Sequence, residues 1–209
     1  MKNLLLAALA AVILSTSPAG AQDASMPPET LMNPPTKFRT AVFAGGCFWC
    51  MESEFEDKKG VVKVQSGYTG GQEDFPTYKQ VSKGQTGHFE AIEVTYDSDR
   101  VDYEDLLGIF WENVDPFDEN GQFCDKGAQY RAAIFYKNDR EKEQARASLE
   151  KVEKKFGKKV ATSIRAAKRF WPAEDYHQDY AKKSAISYKF YRTTCGRDKK
   201  LEKLWGERE

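Results

Sequence analysis

Two cysteines three residues apart, Cys47 and Cys50, enclose an aromatic pair, Phe48 and Trp49, and follow a pair of glycines, Gly45 and Gly46. The run before them, Thr40-Ala41-Val42-Phe43-Ala44, has strand character, and Phe48 to Lys58 carries Phe48, Met51 and Phe55 at helical spacing. Cys47 is therefore expected where a strand ends and a helix begins. Unpaired N–H groups and the positive end of the helix dipole favour a thiolate there, which predicts a lowered thiol pKa. The glycines let the backbone approach a ligand closely, and Phe48 and Trp49 offer an apolar cradle for a small, greasy group. A CxxC pattern has three ordinary meanings: a redox pair, half of a zinc site, or an accident of spacing. Zinc would need two more ligands at close spacing. Cys124 and Cys195 are single and distant, so no metal site is expected. A strand–CxxC–helix also suits a general thiol–disulfide oxidoreductase using Cys47 and Cys50, although Trp49 lies between the cysteines rather than before the first. A disulfide-stapled binding module, with all four cysteines oxidised, is the third reading.

Further motifs follow in order. They are Ser66-Gly67-Tyr68-Thr69-Gly70-Gly71, Pro76-Thr77-Tyr78, Gly87-His88-Phe89-Glu90-Ala91, Asp125-Lys126-Gly127-Ala128-Gln129-Tyr130-Arg131 and Pro172-Ala173-Glu174-Asp175-Tyr176-His177-Gln178. Together with GGCFWC, they make the chain resemble the peptide methionine-S-sulfoxide reductases of the MsrA type, whose signature usually reads GCFWG. The resemblance runs from about residue 38 to 205. It implies reduction of methionine S-sulfoxide, free or in oxidised proteins. Phe48 and Trp49 would hold the S-methyl group. Glu90 would donate a proton to the sulfoxide oxygen, Tyr78 and Tyr130 would offer hydroxyls to it, and Asp125 would give polar support. Cys47 would attack sulfur and be left as a sulfenic acid. Glu90 must then start protonated, which an apolar pocket achieves by raising its pKa. No bound cofactor is implied, only an external thioredoxin-like thiol reductant. Each residue also has a plainer reading. Glu90 lies in an alternating strand and could face solvent. Tyr78, Tyr130 and Tyr68 could be half-buried core. Phe48 and Trp49 could be plain core, and His88 and His177 read as structural.

Cys50 departs from the usual signature and leaves open how the sulfenic acid is cleared. Cys50, one helical turn from Cys47, could close a disulfide directly. Cys195 lies beside Gly196 in a segment that reads as an irregular C-terminal tail from about residue 184, a suitable place for a mobile resolving thiol, and is favoured slightly. Cys124, just before Asp125, reads as a bystander thiol.

Several elements must position these groups. Strands are expected at Val61 to Tyr68, His88 to Tyr96, Gln129 to Tyr136 and Val160 to Arg165. Helices are expected at Pro76 to Lys83, Asp102 to Asn113, Asp139 to Phe156 and Ala173 to Lys183. The reading is α+β: a two-layer sandwich with helices on a mainly antiparallel mixed sheet, the ferredoxin-like arrangement that the resemblance also implies. Lys+Arg and Asp+Glu both number 32, so the formal net charge is zero, which argues against nucleic acid as a partner. At the start, Lys2, the apolar run Leu4 to Leu14 and the small residues Ala19-Gly20-Ala21 read as a cleavable signal peptide over 1–21. A Pro-rich linker over 22–37 and a single domain over 38–209 follow. The expectation is an exported monomer with no membrane anchor after cleavage. It would be periplasmic in a Gram-negative bacterium and secreted otherwise.

Overall fold

The computed structural model describes residues 37–206. The leader expected over 1–21 and nearly all of the linker after it lie outside the described residues. Within them, no helix is long and apolar enough to cross a membrane. The chain runs β1 (Phe38–Ala44), α1 (Phe48–Phe55), β2 (Val61–Thr69), α2 (Tyr78–Val81), β3 (Phe89–Asp97), α3 (Tyr103–Glu112), β4 (Gly121–Gln122), β5 (Asp125–Lys126), β6 (Ala133–Tyr136), α4 (Asp139–Phe156), β7 (Ser163–Ala166), β8 (Trp171–Pro172), α5 (Tyr180–Lys183), α6 (Ala185–Cys195) and α7 (Arg197–Trp205).

Six strands form one sheet in the order β7-β6-β1-β3-β2-β8, and β4 pairs with β5 in a separate hairpin. Every pairing in the large sheet is antiparallel except β6 with β7. The unit β1-α1-β2-β3-α3-β6 supplies the four central strands, which is the ferredoxin-like topology, with β7 and β8 added at the edges. The expected mainly antiparallel α+β sandwich is thus observed.

The sheet is buried on both faces. Ala41 and Phe43 of β1 and Ile92, Val94 and Tyr96 of β3 join Phe48, Met51 and Phe55 of α1 and Leu106, Leu107 and Phe110 of α3 in the main core. On the opposite face, Val42, Ala44, Phe89, Ala91, Ala133 and Phe135 pack under Ala167 and Phe170. This accounts for the imperfect polar–apolar alternation of β3, since a strand covered on both sides has no solvent face to keep polar. It also fixes the direction of Glu90. By the two-residue period it shares a face with Ile92 and Val94, so it points toward α1.

Helix ends follow local chemistry. Asp102 caps α3 by accepting from Asp105 N at 2.9 Å, and Asn138 caps α4 by accepting from Glu141 N at 2.9 Å. Gly157 closes α4 with a left-handed φ of 62°. Other expected boundaries shift. The strand expected from Gln129 begins at Ala133, because Ala128–Tyr130 forms a 3₁₀ turn. The strand expected from Val160 begins at Ser163. The helix expected over Ala173 to Lys183 is broken into a 3₁₀ turn at Asp175–His177 and the short α5, because Asp179 takes a left-handed φ of 52°. The tail expected to be irregular from about 184 is instead α6 and α7, joined at Gly196, whose φ is 70°. The inward residues of α6 include Tyr188, Tyr191 and Arg192, which bond through polar tips, so no apolar stripe announces that helix, whereas α7 buries Arg197 beside Leu201 and packs Trp205 on the core.

The β1–α1 turn depends on Gly46, with a φ of +88°. A Cβ built there would sit 2.6 Å from Cβ of the fully buried Gln122. Gly46→Ala is expected to destabilise the fold by roughly 1–3 kcal/mol. Gly157→Ala, where nothing lies within 4 Å, should cost less. Denaturant unfolding of the two variants against the parent checks this order.

Candidate active site

Cys47 is the residue before α1, with its carbonyl accepting from Cys50 N at 3.1 Å and Met51 N at 3.3 Å. Cys47, Phe48, Trp49, Tyr78, Glu90, Asp125, Tyr130 and Tyr191 line one cavity of ≈ 260 Å³, counting its open mouth. Every residue named from the sequence as catalytic or substrate-binding is therefore on this one wall set. Of the resolving candidates, Cys50 lies behind Cys47, buried in the first turn of α1.

Glu90 is 2 % exposed, and its Oε2 accepts from Phe48 N at 3.1 Å, which ties the centre of the sheet to the first turn of α1. Burial raises its carboxyl from the ordinary 4.5 to about 8, even though the Phe48 N–H favours the charged form and so opposes the shift. Glu90 is thus a neutral acid at pH 7. Burial also raises Tyr78, to about 12, and Tyr130 further, with the nearby Glu90 adding to both, so both phenols remain proton donors. Asp125 is raised by burial as well, and it accepts from the Tyr191 hydroxyl at 2.5 Å.

The cysteines differ from expectation. A lowered pKa was expected for Cys47, yet burial pushes its thiol well up, and a hydrogen bond with Cys50 raises it further. Cys50 is lowered to about 7, first by the hydrogen bond from Cys47 and then, against burial, by Arg197 and Arg192. Desolvation outweighs the helix dipole at a cysteine only 5 % exposed. Both cysteines are free thiols. Cys195 is not free in a mobile tail. It ends α6 and is bonded to Cys124, so Cys124 is no bystander thiol.

Glu174, Tyr180 and Tyr191, which the sequence does not single out, hold the walls together with His177, one of the two histidines read as structural. Glu174 accepts from the Tyr68 hydroxyl at 2.8 Å and from Tyr78 N at 2.9 Å, and so fixes the start of α2 against β2. Tyr180 stacks on Trp49 with ring centroids 3.8 Å apart, and Tyr191 meets the same indole edge-on at 5.9 Å. His177 accepts from Trp49 Nε1 at 3.1 Å through Nδ1, and burial lowers its pKa, so it stays neutral and orients the indole. His88 is bonded through both ring nitrogens to backbone, at Gly71 N and Glu73 O. Neither histidine lines the cavity. The motif Pro172 to Gln178 carries Glu174 and His177, but nothing in its spacing says that they support Tyr78 and Trp49. Tyr180 and Tyr191 sit in segments with no distinctive pattern.

A cysteine pair at the mouth of a helix, facing a neutral carboxyl and phenols in a small cavity, defines a thiol-dependent oxidoreductase. Comparison with known proteins takes this further. A family model described as peptide methionine sulfoxide reductase matches residues 39–209. The chain is 48% identical over 168 residues to peptide methionine sulfoxide reductase MsrA 2 of Rhizobium meliloti, covering 80% of this chain and 84% of that one. It is 44% identical over 202 residues to MsrA 2 of Caulobacter vibrioides, covering 97% and 96%. Among solved structures, reduced Mxr1 of Saccharomyces cerevisiae superposes with a TM-score of 0.68 at 33% identity, over 75% of this chain and 91% of that one. The chain belongs to the peptide methionine sulfoxide reductase family, MsrA type. It is an enzyme that reduces methionine sulfoxide by cysteine and disulfide chemistry.

The raised carboxyl of Glu90 makes a stability prediction. A folded-state pKa above the unfolded value contributes stability that is full below the ordinary 4.5 and lost as pH rises through about 8. Relative to the parent, Glu90→Gln is therefore expected to gain stability between about pH 5 and about pH 9. Urea titrations across that range check the sign.

Proposed function

We propose that Cys47 is the nucleophile and Glu90 the acid, and that Cys50 resolves the intermediate. The observation that carries this reading is the cavity itself, which brings the Cys47 sulfur, a neutral Glu90, two protonated tyrosines and an aromatic wall around a space suited to an S-methyl sulfoxide. The S-methyl group lies against Phe48 and Trp49, and the sulfoxide oxygen takes hydrogen bonds from Glu90, Tyr78 and Tyr130. Cys47 hands its proton to the Cys50 thiolate and attacks sulfur. The oxygen passes to the Cys47 sulfur, with the Glu90 proton on it. Methionine leaves reduced, Cys47 is a sulfenic acid and Glu90 is a carboxylate. Cys50 then attacks the Cys47 sulfur: an S–S bond forms, the S–O bond breaks, and hydroxide leaves as water with the proton that Cys50 gave up. Cys195 was favoured as the resolving thiol from its tail position, but its bond to Cys124 and the free state of Cys50 favour Cys50.

An external dithiol of the thioredoxin type then reduces the Cys47–Cys50 disulfide. Selectivity for the S epimer, and action on methionine sulfoxide both free and in oxidised exported proteins, complete the proposal. The apolar run Leu4 to Leu14 with Ala19-Gly20-Ala21 supports export, as a monomer, to the periplasm of a Gram-negative bacterium or outside the cell. A general disulfide exchange role for the CxxC would leave the neutral Glu90 and the Tyr78 and Tyr130 hydroxyls of the same cavity without a task.

With dithiothreitol and a dabsyl-methionine sulfoxide resolved into its two sulfur epimers, the enzyme should reduce only the S epimer. Cys47→Ser should abolish the reaction, and Glu90→Gln should slow it about 10²–10⁴-fold. Reduction of neither epimer by folded, thiol-reduced protein would overturn the proposal. A second expectation concerns pH. Activation of Cys47 needs the Cys50 thiolate as its base, which forms as pH rises through about 7, and reduction needs protonated Glu90, which is lost as pH rises through about 8. The turnover profile is therefore expected to be a narrow bell between those values. In Glu90→Gln the alkaline limb should disappear and the acid limb remain.

A further inference from the structure

Arg197 is among the largest fully buried side chains, at 1 % exposure. It occupies the first position of α7, where the helix dipole disfavours a cation. Its guanidinium reaches across the cysteine turn. Nη1 donates to Gly45 O at 3.3 Å, while Nη2 donates to Asn113 O at 2.6 Å and approaches Met51 Sδ at 3.2 Å. The ring of Phe123 lies 4.6 Å beneath it, and Nε has no partner. Among the described residues its contacts are thus carbonyls, a thioether and an aromatic face, with no carboxylate in an ion pair. The neighbouring Arg192 differs, because it is paired with Glu54 and Asp198 and its charge is already balanced.

A buried cation without an anion is costly, and folds keep one when something in the site uses its charge. The turn it braces holds Gly45 on one side of the cysteine pair and Met51 on the other, which puts the pair within reach of its field. Resting on the reading in which Cys50 resolves Cys47, we propose that Arg197 is the positioning residue that holds Cys50 as a thiolate for disulfide closure. It acts through Cys50 and touches no reacting atom of the substrate. The groups facing Cys50 are Cys47 and Tyr188 by hydrogen bond, Arg197 and Arg192 as cations, and Glu90 and Tyr191 by charge at longer range. Of these, Arg197 is the one fixed, unbalanced charge. Asp125 also lies in its field, but the Tyr191 hydroxyl engages that carboxyl and burial raises it, so it is a poor counter-ion.

The test uses the full enzyme with its Cys124–Cys195 bond intact. Arg197→Gln removes the charge and keeps N–H donors for Gly45 O and Asn113 O, and Arg197→Lys keeps the charge. Two readouts are taken: thiolate absorbance of Cys50 in a Cys47→Ser background, and trapping of the Cys47 sulfenic acid by dimedone during one turnover without reductant. The Gln variant is expected to show a Cys50 thiolate-to-thiol ratio at least about tenfold lower at neutral pH, a shift of one pKa unit or more. In that variant formation of the sulfenic acid should also slow, because Cys50 is the base for Cys47, but a larger share of what forms should be trapped before closure; closure should recover as pH rises, whereas the Lys variant should stay near the parent in both readouts. A folded Gln variant with parental titration and no trapped sulfenic acid overturns the inference. If the Gln variant does not fold, the Lys variant decides: a near-parental thiolate fraction supports the inference and a tenfold loss overturns it. Failure of the underlying reading looks different, because the parent enzyme would then release no methionine, or would release it without closing Cys47 to Cys50.

Discussion

The hydrogen bond from Phe48 N to Glu90 Oε2 is the constraint on which the site depends. A carboxyl on a central strand buried on both faces has no water to hydrate it, so it must either find donors or stay protonated. The first turn of α1 offers one N–H, enough to orient the group and too little to ionise it, and Glu90 remains an acid at neutral pH. The same bond sets the distance between sheet and helix at the residue after Cys47. Acid and nucleophile are therefore registered by one contact between β3 and α1.

Desolvation also governs the sulfur. A helix start lowers a thiol pKa when the thiol can keep some water; Cys47 is nearly dry, and its proton is held. The charged form is favoured instead one turn along at Cys50, whose pKa is lowered by the hydrogen bond from Cys47 and by two arginines from the C-terminal helices. The second cysteine of the motif is thus more than a spare thiol. In the proposed reaction it is the base that receives the proton of Cys47 and, one step later, the group that attacks it. An acid with a pKa above neutral and a thiolate at neutral pH can coexist in one small cavity because burial disfavours charge at Glu90 while fixed cations favour it at Cys50.

Much of this was legible in the sequence, for reasons that differ by residue. Gly45 to Cys50 could be read because a strand, a glycine turn and a helix each leave a local pattern. The ferredoxin-like order could be read because β1, β3, α3 and α4 have clear periodicity or caps. Tyr180, Tyr191 and Arg197 could not be found that way, since each acts through a contact more than a hundred residues distant in the chain. The direction of the Cys47 shift is not legible in the spacing, which reveals a helix start and says nothing of how much water reaches it. The helix α6 is not legible because its inward face is aromatic and basic, and a hydrophobic stripe is what periodicity detects; α7, with Leu201 and Trp205 inward, is short and otherwise charged.

How such a polar segment stays packed is a question of chain entropy as well as contacts. The Cys124–Cys195 bond spans 71 residues and joins the hairpin bearing Asp125 to the end of the helix bearing Tyr191. In the loop-entropy picture a closure of that length removes about 4 kcal/mol of unfolded-state freedom. That is comparable to what a sizeable apolar patch on α6 would supply. With the helix end tethered, its inward positions are released from the need to be apolar. Tyr188, Tyr191 and Arg192 can then face the cysteines and the cavity, and Arg197 follows directly after the αL turn at Gly196. The fold thus lets a covalent link at the rim do the work of a hydrophobic stripe, so that the chemistry-bearing residues of the tail can point inward.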